Sequence, residues 1–403
     1  MHKLVRILIV ILVVILAWVL RARAVDLLPI DYDEDDYLRA AQQMAVAIQA
    51  GDWAALTELN YRSEHPPLAK LVYGTAISSL PPTAEIPDRP TTAQPAVSLP
   101  QPHLDTARRV SAFFGTLEVL LLALLNPLAA LFLGIHTWTI KYSSQVMLEA
   151  LPAFTSAAAV VTYDWSQVYE KGKRRRWGWL LLLLSAVLLG LTAAAKYLYA
   201  LVGIAILIHW GWSVWRYRQN GRFPLKWFLI AGVWGVGALL IFFAANPYLW
   251  PDPVGRLLAS IFYHQQYSQS AAVQDTGWPM WQSLVWLLGS VVWHPGVFVV
   301  MFDLFIAAFA LVGLREMWRK RPLYAIWLIV AFIFLLLWPT KWPQYVLTLT
   351  FPLSLSAALG VTAVVIQPLR HWWQQTQQNG LIRSDAQTRH SQRQQFRRAF
   401  LWL

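Results

Sequence analysis

The chain contains no cysteine, so it forms no disulfide, offers no thiolate nucleophile and builds no cysteine zinc site. The same absence leaves its redox compartment unmarked. Charge is scarce: Asp, Glu, Lys and Arg make up 13% of the residues against 57% hydrophobic, whereas water-soluble domains carry about 25% charged residues. A soluble globular fold is excluded, and a membrane protein is indicated. No Asn-x-Ser/Thr sequon occurs, which is compatible with a bacterial inner membrane. No internal repeat of solenoid length is present, and no glycine-rich phosphate loop opens a helix, so a soluble nucleotide-sugar domain is not expected. The net charge is +12, but the basic residues sit between apolar spans instead of on one soluble face, and nucleic acid is not an expected partner.

Long apolar runs are what the chain does have. A spanning helix needs about 20 mainly apolar residues, and hydropathy places spans at 4–20, 108–125, 127–142, 144–163, 177–193, 197–214, 227–245, 297–314, 323–338 and 343–366. The fold class expected is all-α and polytopic, with about ten transmembrane helices. The first run is kept as an anchor, because Arg21 and Arg23 follow it where a signal peptide has a small-residue cleavage site. The 23 Trp and 15 Tyr suit the headgroup level, where one end of the ring is apolar and the other wet. With the N-terminus inside, the basic clusters at 171–176, 216–226 and 315–321 and the tail all fall on the cytoplasmic side. Both termini are then cytoplasmic. One integrated unit, 1–366, results, with large outer loops at 21–106 and 246–296 and a basic cytosolic tail at 367–403.

The first outer loop has internal order. Tyr37, Leu38, Ala41, Met44, Ala45 and Ile48 recur at helical spacing, which predicts an amphipathic helix lying on the membrane and ended by Gly51. A second short helix is expected after Pro66-Pro67, showing Leu68, Leu71, Val72 and Thr75 to the bilayer. Seven prolines in 80–102 predict an extended tether. Ahead of the first helix stands the run Asp31-Tyr32-Asp33-Glu34-Asp35-Asp36, five carboxylates in six positions. It reads as a solvated loop, as a calcium loop, or as a place for acid–base chemistry. Calcium fits poorly, since the sixth and twelfth loop positions are Asp36 and Gln42 where an EF-hand has Gly and Glu. A carboxylate held where the chain leaves the bilayer suits the third reading, as a base toward a hydroxyl beside a lipid-borne leaving group.

The motifs around it resemble a known family. Asp33-Glu34 with Tyr37 just after the first span, "EHPPLAK" at 64–70, "RRVSAFFGTL" at 108–117 and "KWPQYVLTLTFPL" at 341–353 are similar, in that order, to the conserved stretches of the GT-C membrane glycosyltransferases. These include the protein O-mannosyltransferases and the lipid A aminoarabinose transferases. Thr348 stands where that family usually has Pro, and Glu149 where it has a second Asp at the start of the fourth span. The resemblance implies inverting transfer of a sugar from a polyprenyl-phosphate donor to a hydroxyl acceptor, a lipid, glycan or protein, on the outer face. Membrane lipids would be its surroundings.

Asp33 would be the base and Glu34 its neighbour. Such a site needs cations for the departing phosphate, and Arg109, Lys196 and Lys341 are the candidates on the same side. His65 and Tyr345 are further candidate site residues. A divalent metal, if one is used, would fall to Glu149 and His65; no other cofactor is implied. Glu118 and Asp303 lie inside spans without matching a family motif, and interior hydrogen bonding is expected of them. The competing classes are a transporter or lipid flippase, which should show repeated halves and helices broken near the midplane, and a non-catalytic protein of the same fold.

Overall fold

The computed structural model describes residues 2–88, 98–169, 175–218, 225–298 and 300–376. Residues 171–174, Arg222 and the tail beyond 376, on which part of the expected orientation rests, lie outside the described residues, as do 89–97 of the proline-rich tether.

The described residues are all-helical, and a helix stands at each expected span position. Five are long and apolar enough to cross a membrane: Lys3–Leu27, Arg175–Ala195, Tyr197–Arg216, Leu225–Ala244 and Pro343–Thr376. The chain is an integral membrane protein. The remaining positions are shorter, more charged or broken, so a count of ten crossings goes beyond what the helices establish.

Where boundaries differ from hydropathy, a polar side chain explains the difference. Helix α1 (His2–Leu27) runs on past residue 20 because Arg21 is fully buried. Its Nε donates to Ser143 Oγ at 2.8 Å and its Nη1 to the Ala17 carbonyl at 3.2 Å. Gly115 makes this possible, since a Cβ there would lie 2.5 Å from Ser143 Oγ. In the first outer loop come α2 (Glu34–Ala50) and α3 (Leu68–Ile77), followed by α4 (Gln101–Leu125).

The third expected span is two helices, α5 (Pro127–Ile135) and α6 (Thr137–Tyr142), broken at His136. Asn126 caps the first, its Oδ1 accepting from Leu128 N at 3.0 Å and Ala129 N at 3.1 Å. Asp303 caps the second from a distant part of the chain, accepting from Thr137 N at 2.9 Å and Thr137 Oγ1 at 2.8 Å. That is the interior hydrogen bonding expected of Asp303.

Helices α7 (Ala150–Tyr169), α8 (Arg175–Ala195), α9 (Leu201–Arg218) and α10 (Leu225–Ala244) follow. The second outer loop contains α11 (Pro253–Ser268), α12 (Ala271–Gln274) and α13 (Gln282–Leu288). The last three are α14 (Asp303–Lys320), α15 (Pro322–Leu337) and α16 (Leu347–Val361). A π turn, Thr362–Ile366, carries the final helix on to Thr376, so the tail expected from residue 367 begins as helix.

Helix α2 ends at Gly51 in the left-handed region, φ +68°, as its sequence predicts. Its apolar face does not lie on lipid. Leu38 and Ala41 are fully inaccessible and pack into the same core as Ala69, Tyr73 and Ile77 of α3. The α3 face expected to meet the bilayer is only half-buried at Leu68, Leu71 and Val72, while the opposite face carries the buried Ala69, Lys70 and Tyr73. Periodicity identifies the apolar stripe but not what covers it.

Candidate active site

The acidic run resolves into carboxylates with different surroundings. Glu34, the first residue of α2, is fully buried and faces Arg108. Arg108 Nε donates to Glu34 Oε1 at 2.8 Å and Nη2 to Oε2 at 2.5 Å. The backbone N–H of Val146 donates to Oε1 at 2.7 Å, and that of Asp31 to Oε2 at 2.9 Å. Arg108 uses its other N–H groups on the carbonyls of Val25, Leu28 and Pro29, at 2.8, 2.9 and 3.1 Å. This bidentate pair ties the end of α1 to the starts of α2 and α4 and leaves neither partner an open side.

Asp33 is the cap residue of α2, yet its carboxylate accepts no capping hydrogen bond. It faces a cavity of about 590 Å³ between the two outer loops. Burial pushes its pKa up to about 7, helped by the nearby charge of Asp36 and opposed by Lys196. A carboxylate half protonated near neutral pH is poised to accept a proton.

Across the same cavity lie Lys196, from the turn after α8, and Tyr345, ahead of α16. The Lys196 ammonium sits 5.6 Å from the Tyr345 ring centroid and pairs with the buried Glu149 carboxylate. Half-buried His65 also lines the space, its ring centroid 5.4 Å from that of His264 on α11. Burial holds both imidazoles below their usual pKa, which favours the neutral form.

Trp278, Trp286 and Trp342 form an aromatic wall, with Trp278 edge-on to Trp342 at 4.9 Å and to Trp286 at 5.6 Å. Helix α11 roofs the first loop: Ser260 Oγ donates to the Glu64 carbonyl at 2.7 Å, and Arg256 pairs with Glu58 at 2.6 Å. Each of the three Lys and Arg side chains among the described lining residues has a carboxylate partner. Arg62 pairs with Asp36 at 2.7 Å, Lys141 with Asp31 at 2.9 Å, and Lys196 with Glu149.

Of the residues singled out in the sequence, Asp33, His65, Lys196 and Tyr345 thus come together, with Glu149 buried behind Lys196. Three do not join them. Arg109 is exposed and lines no part of the cavity. The inward residue is Arg108, one helical step away, and it serves Glu34. Lys341 is turned from the large cavity; its Nζ donates to the Leu335 and Leu336 carbonyls, each at 2.8 Å, and so caps the C-terminal end of α15. Glu34 is occupied by Arg108.

Glu149 and His65 also do not form a chelating set. Glu149 is taken by an ammonium, and no three His, Cys, Asp or Glu among the described residues gather as metal ligands. No step is therefore derived through a metal. Arg62, Lys141, His264 and the Trp wall were not singled out in the sequence. Lys141 alone carried a signal, a basic residue at the outer end of an expected span.

The described residues form an all-helical membrane unit with a polar cavity roofed by helices from two loops, and the chain has the GT-C fold. It is similar to ArnT from Cupriavidus metallidurans bound to undecaprenyl phosphate, with a TM-score of 0.58 and 17% identity over 93% of this chain and 63% of that one. The apo state of the same ArnT gives a TM-score of 0.54 and 16% identity, over 91% of this chain and 61% of that one. The S. cerevisiae protein O-mannosyltransferase Pmt1-Pmt2 complex bound to its sugar donor overlaps less, with a TM-score of 0.39 and 18% identity over 65% and 34% of the two chains. The chain spans less than two-thirds of the length of each of these proteins. No protein-family model and no curated relative matches it.

Proposed function

We propose that the chain transfers a sugar from a polyprenyl-phosphate donor to a hydroxyl acceptor at the outer face of a membrane, with inversion at the anomeric carbon. The observation that carries this reading is Asp33: a carboxylate that makes no capping hydrogen bond to α2, with a pKa near 7, facing a cavity that also presents Lys196, Tyr345 and a tryptophan wall. The fold supports it, because the similar ArnT was solved with undecaprenyl phosphate bound.

In a single displacement the acceptor hydroxyl gives its proton to Asp33 as its oxygen bonds to the anomeric carbon. The bond from that carbon to the phosphate oxygen breaks, and its electron pair leaves with polyprenyl phosphate. Lys196 stabilises the charge that develops on the leaving oxygen, and Tyr345 offers a hydroxyl donor beside it. The tryptophans present ring faces to the sugar, and His65 and His264 line the same space as uncharged donors or acceptors. The unit 1–366 acts as one body, with both termini on the cytoplasmic side.

The test is Asp33→Asn, which keeps shape and removes the basic lone pair. Turnover of a polyprenyl-phosphate sugar should drop by roughly 10²-fold or more with folding and donor binding preserved. Normal turnover in this variant would end the assignment.

A further inference from the structure

Beside the large cavity lies a second of about 290 Å³, formed by the α12 end of the second outer loop and the turn after α15. Trp278 and Trp342 line both spaces, so one aromatic pair is the partition between them. The second cavity opens outward past Gln274 and Gly277, which are exposed. We propose that it is the acceptor subsite and that it holds a neutral sugar ring, making the acceptor a saccharide. This rests on the transfer reading above and names its second substrate.

The polar groups of the wall are used only in part. Gln274 Nε2 donates to the Ser268 carbonyl at 2.7 Å, leaving Oε1 as an acceptor. Thr276 Oγ1 donates to the Val273 carbonyl at 2.7 Å, leaving its lone pairs. Lys341 Nζ gives two of its three N–H groups to α15 carbonyls and keeps one. Acceptors and a donor around one small space match vicinal hydroxyls, each of which is both donor and acceptor. The partition fits the same ligand: the C–H face of a pyranose carries slight positive charge and packs against the negative face of an indole.

An acyl chain would find polar groups instead of an apolar lining. A peptide would need a cleft longer than this pocket, which lies below the usual range for drug-sized sites, about 300 to 1,000 Å³. With a ring seated against Trp342, a reacting hydroxyl on its far side projects past the indole edge into the space that Asp33 faces. The subsite also gives Lys341 a second task beside capping α15.

The test uses the purified full chain in lipid nanodiscs and saturation-transfer NMR with maltotriose, mannotriose and chitotriose, plus a Ser/Thr-rich octapeptide as the peptide probe. At least one trisaccharide should bind the wild type. Binding should weaken about tenfold or more in the double variant Gln274→Ala/Thr276→Val, the loss of two polar contacts, and should persist in Asp33→Asn. A melting curve matching wild type certifies that the double variant is folded; Trp342→Ala is the second probe of the same pocket.

No trisaccharide binding, binding unchanged in both variants, or capture of the octapeptide through Gln274 and Thr276 overturns the proposal. Undecaprenyl phosphate binding, read by native mass spectrometry on the same preparations, keeps the two ideas apart. If it binds the wild type and not Lys196→Ala while no saccharide binds, the acceptor subsite fails and the donor reading stands. If saccharide binds and undecaprenyl phosphate does not, the donor reading fails and the saccharide pocket stands.

Discussion

Glu34→Gln should destabilise the fold where the adjacent Asp33→Asn only slows turnover. Each Glu34 oxygen accepts from one Arg108 nitrogen and one backbone N–H: Oε1 from Arg108 Nε and Val146 N, Oε2 from Arg108 Nη2 and Asp31 N. A glutamine amide can be placed either way round, and in both its NH₂ meets one Arg108 donor and one backbone donor. Two hydrogen bonds are lost, at about 1 kcal/mol for the neutral one and about 2 kcal/mol for the charged one. Arg108 is also left as a buried cation without its counter-charge, which brings the expected cost into the range of about 3 to 5 kcal/mol known for breaking a buried pair.

Thermal unfolding in detergent, followed by intrinsic tryptophan fluorescence, reads this directly. Arg108→Met should be similarly destabilised, and Glu34→Leu/Arg108→Met less than either single variant, since no charge is then stranded. A Glu34→Gln protein that melts with the wild type yet is inactive would refute the structural assignment and return Glu34 to the chemistry.

The remaining predictions concern charge and orientation. Asp33 accepts a proton only when ionised, so kcat/KM should climb as pH rises through about 7, and this acid limb should vanish from the residual activity of Asp33→Asn. Stability should run the other way. The folded carboxyl holds its proton more tightly than the unfolded one, so its contribution is fully present below the unfolded value of 3.8 and lost as pH rises through about 7; Asp33→Asn should flatten that decline. Lys196→Ala should weaken undecaprenyl phosphate binding by about 2 to 5 kcal/mol, while the exposed Arg109→Ala should stay within about 0.5 kcal/mol; equal loss in both would put Arg109 at the phosphate. Single cysteines at exposed Ser98 and Val168 have no native background, and an impermeant thiol reagent on intact cells should label only the first. Labelling at Val168 would invert the topology.

Much of the architecture was legible because it rests on local rules. The 3.6-residue period and the glycine gave α2, and the apolar run expected from residue 127 gave the start of α5. The errors share one cause: hydropathy measures how apolar a segment is, not which neighbour it meets. Arg108 and Arg109 illustrate it. From sequence both stand at the mouth of a span, but the motif's spacing, an Arg three residues before Ser111 and seven before Gly115, falls on Arg108 and not on Arg109. The positions three, four and seven residues beyond Arg108 are Ser111, Ala112 and Gly115, a stripe of small residues that marks a face packed against another helix. The position four beyond Arg109 is Phe113, which is exposed. That stripe was readable and points to Arg108. Lys341 could not be read in this way, because its partners are main-chain carbonyls that exist only once α15 has ended. Arg62 meets Asp36 from further along the same loop, Lys141 meets Asp31 from the end of α6, and His264 reaches the Glu64 carbonyl from α11, and no local pattern encodes these meetings.

The ion pairs around the cavity set the terms on which an anion can enter. Arg62, Lys141 and Lys196 are each already matched by Asp36, Asp31 and Glu149, so an arriving phosphate competes with a carboxylate for each of these three cations. The displaced carboxylate then sits in a poorly hydrated space beside a fresh negative charge, a situation relieved by taking up a proton. On the proposed reading, donor capture becomes an ion-exchange event linked to protonation.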